Sequence, residues 1–266
     1  MKKINHSRLV WFLVALLSAC VTSPETGKSS FNFMPESAEM SLGEEAYSQI
    51  KNKERQSGNT RWTAILQRVG NRIAAAANKP DYKWEFRLFE SAEKNAFCLP
   101  GGKVAFYTGI FPELKNEAGL AVVMGHEVAH ATERHGGQRM STALGVGVGL
   151  AGLSAALGSS DNNQTKQLIL AALGVGATVG VLLPFSRSNE SEADQVGLKF
   201  MAKAGYDPRE GSRFWQRFGA ATGSQTPVFL STHPSSQSRQ SALEGEASRV
   251  LGLYERSAKY GLGEVL

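Results

Sequence analysis

Two histidines four residues apart, with a glutamate directly after the first, occur in the run His126-Glu127-Val128-Ala129-His130. An α-helix turns about 100° per residue, so such a pair lies only about 40° out of line and about 6 Å apart along one face, within reach of one metal ion. Glu127 sits one step round from His126. There a carboxylate is beside the metal without ligating it, placed to take a proton from an activated water and pass it to a leaving amine. The chemistry implied is zinc-dependent hydrolysis of peptide bonds. The competing reading, two histidines packed in a core helix, leaves unexplained an acid between them in so apolar a stretch.

A catalytic zinc needs a third protein ligand and keeps a fourth position for water. The metzincin pattern would require Gly at 133 and His at 136, where this chain has Glu133 and Gly136. His135 falls near the expected helix end, where a cation meets the negative end of the dipole, and reads as a surface residue. The segment Asn189-Glu190-Ser191-Glu192-Ala193-Asp194 offers carboxylates on a second helical stretch. Glu190 and Asp194 share a face, so one can bind metal while the other accepts a hydrogen bond from a ligand histidine. Glu192 points roughly 200° away from Glu190 and is expected to face solvent. The residues alone favour Glu190 over Glu192 but do not exclude a merely solvated, charged face.

These side chains must be held by helices and a small sheet. The apolar run from Glu117 opens with Asn116 as a cap, and Gly136-Gly137 is expected to end it. Helical periodicity is present from Ala38 to Lys51 and from Thr60 to Ala77. Trp84 to Phe89 alternates as a strand, and Ala96–Leu99 and Lys103–Thr108 flank the turn Pro100-Gly101-Gly102. The expectation is an α+β fold, mostly helical, with a small antiparallel sheet ahead of the metal helix. The edge of that sheet can seat an extended peptide through its backbone, or the strands can serve only as core. Between the metal motifs, Ala143–Leu157 and Leu168–Pro184 are apolar and Gly-rich, separated by a polar turn at 158–163. At 1.5 Å per residue these arms reach about 22 and 25 Å, short of a 30 Å hydrocarbon core, so 143–184 reads as an inserted helical hairpin. It can lie on a bilayer, dock a partner or pack on the body.

The 266 residues, 42% hydrophobic and 20% charged, suffice for a substantial core. The net charge of +5 comes largely from Lys2, Lys3 and Arg8; without these three of 29 bases, 26 face 24 acids. No basic stripe interleaved with aromatics points to nucleic acid. Residues 1–19 read as an export signal, basic and then apolar from Leu9 to Leu17. Leu17-Ser18-Ala19-Cys20 resembles a bacterial lipobox, which implies acylation of Cys20 and, with Val21 in place of Asp, the outer membrane facing the periplasm; an ordinary cleaved signal is the alternative. Residues 20–36 then read as a flexible tether from acylated Cys20, and 37–266 as the catalytic domain. Cys98 would be the one remaining thiol, expected to be buried as a small hydrophobe.

Taken together, His126-Glu127-Val128-Ala129-His130, Glu190-x-x-Ala193-Asp194, Asn95-Ala96-Phe97 with Leu99-Pro100-Gly101-Gly102, and His233-Pro234 with Arg239 resemble the HtpX, BepA, LoiP and Oma type of zinc endopeptidase, peptidase family M48. The likeness covers roughly residues 38 to 250 and implies a gluzincin-type domain with one zinc per chain. It makes Glu190 the third ligand, sets Asn95 and Ala96 beside the substrate backbone, and brings His233 near the zinc. Asp194 would support a ligand and Arg239 anchor the His233 loop, although His233-Pro234 also reads as a plain turn. The implied function is quality control of unfolded or misassembled envelope proteins, with outer-membrane assembly machinery as a further partner. A lipoprotein chaperone with a structural zinc is the rival. The chain ends soon after the protease region without a helical repeat array, which favours the stand-alone, LoiP-like members.

Overall fold

The computed structural model describes residues 20–143, 184–220, 227–234 and 237–266. The export signal expected at 1–19 and most of the apolar hairpin expected at 143–184 lie outside the described residues. Among those described, no helix is long and apolar enough to cross a membrane.

The mixed α+β expectation holds, with one difference in the sheet. Strands β3 (Glu85–Phe89), β4 (Ala96–Leu99) and β5 (Lys103–Tyr107) are ordered β3-β5-β4. β4 and β5 form the antiparallel hairpin across the glycine turn, but β3 runs parallel to β5, Glu85 opposite Lys103 and Phe89 opposite Tyr107, so the sheet is mixed. The turn needs its glycines: Gly101 and Gly102 both take φ of +85°, and a Cβ on Gly102 would meet the Trp84 ring at 2.8 Å.

The central strand is buried along its whole length and feeds two cores by strict alternation. Val104 and Phe106 join the main core with Leu66, Val69 and Ile73 of helix α2 (Thr60–Ala77), and Ala105 and Tyr107 join a second core with Ala46, Tyr47 and Ile50 of helix α1 (Glu36–Lys53). The sheet is therefore sandwiched between helices. Each such buried aliphatic or aromatic side chain contributes about 1.5–3 kcal/mol, which fixes the register of β5 against its two neighbours. α2 starts where the Asn59 side chain accepts from the Trp62 amide at 3.0 Å and stops at Asn78, whose φ of 51° is left-handed.

Past the short helix α3 (Phe111–Leu114), helix α4 (Glu117–Thr132) begins at Asn116, whose side chain accepts from the Gly119 amide at 2.9 Å. Every residue of α4 is buried, as an apolar helix at the centre of a fold must be. Its end differs from expectation. The break comes at Arg134, left-handed at φ 57°, and a helical run resumes over 135–143 with Gly136 and Gly137 inside it. The cause is tertiary: the Arg134 guanidinium donates to Glu39 Oε1 and to the Met34 carbonyl, pinning the corner to α1.

Helix α5 (Arg187–Lys203) crosses α4, then α6 (Glu210–Ala220), α7 (Val228–Thr232) and α8 (Gln237–Arg256) close the core. The segment read as a flexible tether is structured where it begins. Strands β1 (Cys20–Thr22) and β2 (Ser29–Phe31) pair antiparallel, Cys20 opposite Phe31, and Glu25 in their turn forms an ion pair with Lys199 of α5.

Candidate metal centre

α4 and α5 cross where both carry glycine. A Cβ on Gly125 would meet the Gly197 carbonyl oxygen at 2.7 Å, and one on Gly197 would meet the His126 amide nitrogen at 2.8 Å. This close approach brings Glu190, on the first turn of α5, against the histidine face of α4. Ser186 caps that turn by accepting from the Asn189 amide at 3.1 Å.

His126, His130, Glu190 and His233 each offer a ligand atom, and all four atoms lie within 4.8 Å of one another, every residue buried. His126 Nε2 is 3.0 Å from His130 Nε2 and 3.2 Å from His233 Nδ1. Glu190 Oε1 is 3.2 Å from His130 Nε2 and 3.0 Å from His233 Nδ1, and its Oε2 is 3.6 Å from His126 Nε2. A tetrahedral zinc with bonds of about 2.0–2.1 Å spaces its ligand atoms roughly 3.3 Å apart, so these separations match. His126 Nδ1 donates to Asp194 Oδ1 at 3.0 Å, leaving its Nε2 a bare lone pair aimed at that of His130. Two facing lone pairs in a dry interior need a cation between them, and two imidazoles with one carboxylate are a zinc donor set. The residues fit the metal.

Glu127 faces the same space. Its Oε1 is 3.3 Å from His233 Nε2, buried and without a hydrogen bond, while its carboxylate also accepts from the Cys98 backbone amide of β4. Burial pushes the Glu127 carboxyl above its ordinary value against the pull of His233 and His126. Burial also disfavours ionised Glu190, but His233, His130 and His126 prevail and hold it well below the carboxylate range. The Cys98 amide points outward from the β4–β5 hairpin, so alternation puts the backbone groups of Ala96 and Cys98 on the outer edge of β4, beside Glu127.

The supporting residues fall into two sets. Arg239 donates to both Asp194 oxygens, to Glu190 Oε2 at 2.7 Å and to the Pro234 carbonyl at 2.9 Å, while lying over the Trp215 ring. Arg239 thus ties the His233-Pro234 loop to α5. The second set was missed in sequence. His135 is 0% exposed, not on the surface, with its Nδ1 2.9 Å from His130 Nδ1; Glu192 is 5% exposed, not in solvent, with Oε2 3.1 Å from His135 Nε2. Single-helix geometry points Glu192 away from Glu190 correctly, but the N-terminal hairpin covers that side and turns it into interior. Burial works against the Glu192 charge, yet hydrogen bonds from His135, Lys28 and Thr26 hold its pKa at about 2. The spacing of His135 five residues after His130 was the available signal.

Asn95 is not drawn into the ligand group. Its side chain donates to Glu93 Oε1 at 3.1 Å and accepts from the Ala96 amide at 2.9 Å, fixing the start of β4. Cys98 is half-buried as a residue, with its side chain packed against the main core and its thiol donating weakly to the Leu99 carbonyl at 3.6 Å.

Comparison with known proteins agrees with this geometry. The family model for peptidase family M48 matches residues 61–247. The mitochondrial metalloendopeptidase OMA1 of Schizosaccharomyces pombe is 34% identical over 83% of this chain and 64% of its own length. OMA1 of Arabidopsis thaliana is 32% identical over 76% of the chain and 40% of its own. The beta-barrel assembly-enhancing protease of Escherichia coli K12 is 27% identical over 92% of the chain and 51% of its own, so the chain spans only part of each relative's length. Since the matched span takes in the histidine helix, Glu190 and His233 at once, the chain belongs to peptidase family M48.

Proposed function

We propose that this protein is a zinc-dependent endopeptidase acting on unfolded or misassembled proteins of the cell envelope. The observation that carries the reading is the convergence of His126, His130 and Glu190 on one point with Glu127 beside it, buried and unpaired at Oε1. A bound zinc supplies Lewis acidity towards the scissile carbonyl and the attacking water. Glu127 accepts a proton as the carbon–oxygen bond forms and returns it to the amine as the carbon–nitrogen bond breaks. His233, 3.3 Å from Glu127, donates towards the developing oxyanion. On the outer edge of β4 the Ala96 and Cys98 carbonyls accept from the substrate backbone, which selects extended chains of almost any sequence, and Asn95, bonded to the Ala96 amide, holds that edge in place.

Two features support the envelope setting: the lipobox-like Leu17–Cys20 and relatives named for β-barrel assembly. In this reading acylated Cys20 anchors the protein to the bacterial outer membrane, facing the periplasm. The test is zinc content and cleavage of unfolded casein for the native chain and Glu190→Ala. One zinc per native chain, lost together with cleavage in the variant, is expected. A variant that keeps one zinc and still cuts would refute the ligand set.

A further inference from the structure

The N-terminal turn Ser23–Lys28 lies outside the residues matched by the family model, yet it reaches the metal centre through an unbroken run of hydrogen bonds. In that turn the Ser23 amide donates to the Lys28 carbonyl at 2.8 Å and the Thr26 amide to Ser23 Oγ at 3.0 Å, with Gly27 left-handed at φ 73°. This tight geometry presents Thr26 and Lys28 side by side. Thr26 Oγ1 donates to Glu192 Oε1 at 2.5 Å and Lys28 Nζ to Glu192 Oε2 at 2.7 Å. Glu192 Oε2 in turn meets His135 Nε2 at 3.1 Å, and His135 Nδ1 meets His130 Nδ1 at 2.9 Å. The Glu25–Lys199 ion pair fixes the same turn to α5 independently.

The proton on each nitrogen of this chain follows from its ends. His130 Nε2 faces the ligand group, so its lone pair must be free and its proton sits on Nδ1. His135 Nδ1 must then accept, which leaves the His135 proton on Nε2, where only an acceptor is tolerated. The Glu192 carboxylate is that acceptor, and both its oxygens are further satisfied by Thr26 and Lys28. His126 ends on a carboxylate directly, at Asp194; His130 ends on one through an intervening ring. A ligand imidazole whose far nitrogen is held this way keeps its tautomer and its ring orientation.

We propose that His135 and Glu192 are positioning residues for the metal ligand His130, and that Thr26 and Lys28 of the N-terminal hairpin complete the centre by holding Glu192. The segment next to Cys20 is thereby a working part of the metal site. The proposal rests on the ligand set given above, and the experiment separates the two.

The full chain loaded with zinc is mixed with excess chelator and the rate of zinc release measured, beside the visible spectrum of the cobalt-substituted protein and kcat and KM on unfolded casein. His135→Phe, which keeps a ring but removes both nitrogens, is expected to release zinc about 10-fold or more faster, to shift the cobalt bands, and to lower kcat with KM unchanged. His135→Gln, whose amide oxygen can accept from His130 and whose amide nitrogen can donate to Glu192, restores most of the native rate. The double variant Thr26→Val with Lys28→Gln speeds release in the same direction by several-fold. A folded His135→Phe with native release rate and native cobalt spectrum overturns the proposal. Should His135→Phe not fold, the double variant decides, because it alters only the hairpin turn; native release from it overturns the hairpin's role. Glu190→Ala is the control: if it retains one zinc, the ligand reading has failed rather than the relay.

Discussion

Arg239 and Asp194 meet fork to fork: Nε donates to Oδ2 and Nη2 to Oδ1, each at 2.7 Å, while Nη1 of the same guanidinium reaches Glu190. One side chain from α8 thus holds both the carboxylate that orients His126 and the carboxylate that faces the metal position. Arg239→Lys keeps the charge but cannot span two oxygens of one acid and a third on another. Zinc affinity is expected to fall about 10–100-fold, measured by competition with a chelator. Arg239→Ala additionally leaves Asp194 uncompensated in the interior and is expected to cost about 3–5 kcal/mol in urea unfolding. Native zinc affinity in Arg239→Lys would show that the fork does not matter.

Glu127→Gln preserves size and one acceptor but removes the carboxylate proposed to accept the proton. Cleavage of unfolded casein is expected to fall by about 10²-fold or more while zinc stays near one per chain. A variant that still cuts at the native rate would remove Glu127 from the role of base.

The contact between Gly125 and Gly197 sets how near Glu190 comes to the histidines. In Gly197→Ala the new methyl would stand 2.8 Å from the His126 amide nitrogen, so the helices must part. A loss of about 1–3 kcal/mol in the zinc-free protein is expected from overpacking, with faster zinc release in the loaded one. An unchanged unfolding midpoint would mean the crossing has slack.

Cys98 provides a test of the ground beneath Glu127. Desolvation pushes its thiol well above the ordinary value and the neighbouring Glu127 charge adds to it, so at any pH near 8 the folded protein carries less thiolate than the unfolded chain. Alkylation of Cys98 by iodoacetamide at pH 8, read from the Cys98 peptide, is expected to be slower by about 10-fold or more in the native protein than in urea. Equal rates would place the thiol in water.

The residues of the candidate site are legible in the sequence because their spacing is local. His126, Glu127 and His130 need only helical spacing to share a face, Asn116 needs only to precede the helix it caps, and alternation around a glycine turn is enough to announce β4 and β5. The four-residue partnership with Asp194 favours Glu190, and the family likeness implies it as the third ligand. What only the tertiary structure decided is which faces are interior. Helical geometry turns Glu192 away from Glu190, and a single helix cannot reveal that a hairpin more than 160 residues earlier comes to lie there. A helix that stops at Gly136 leaves His135 at the surface, whereas Glu39 and the Met34 carbonyl bend the metal helix at Arg134 and fold His135 inward. The parallel pairing of β3 with β5 has the same origin, since strand direction depends on which edge the chain returns to and not on the strand's own residues. Periodicity reports the backbone's own repeat; burial is a property of what packs against it, and that depends on contacts between residues far apart in the chain.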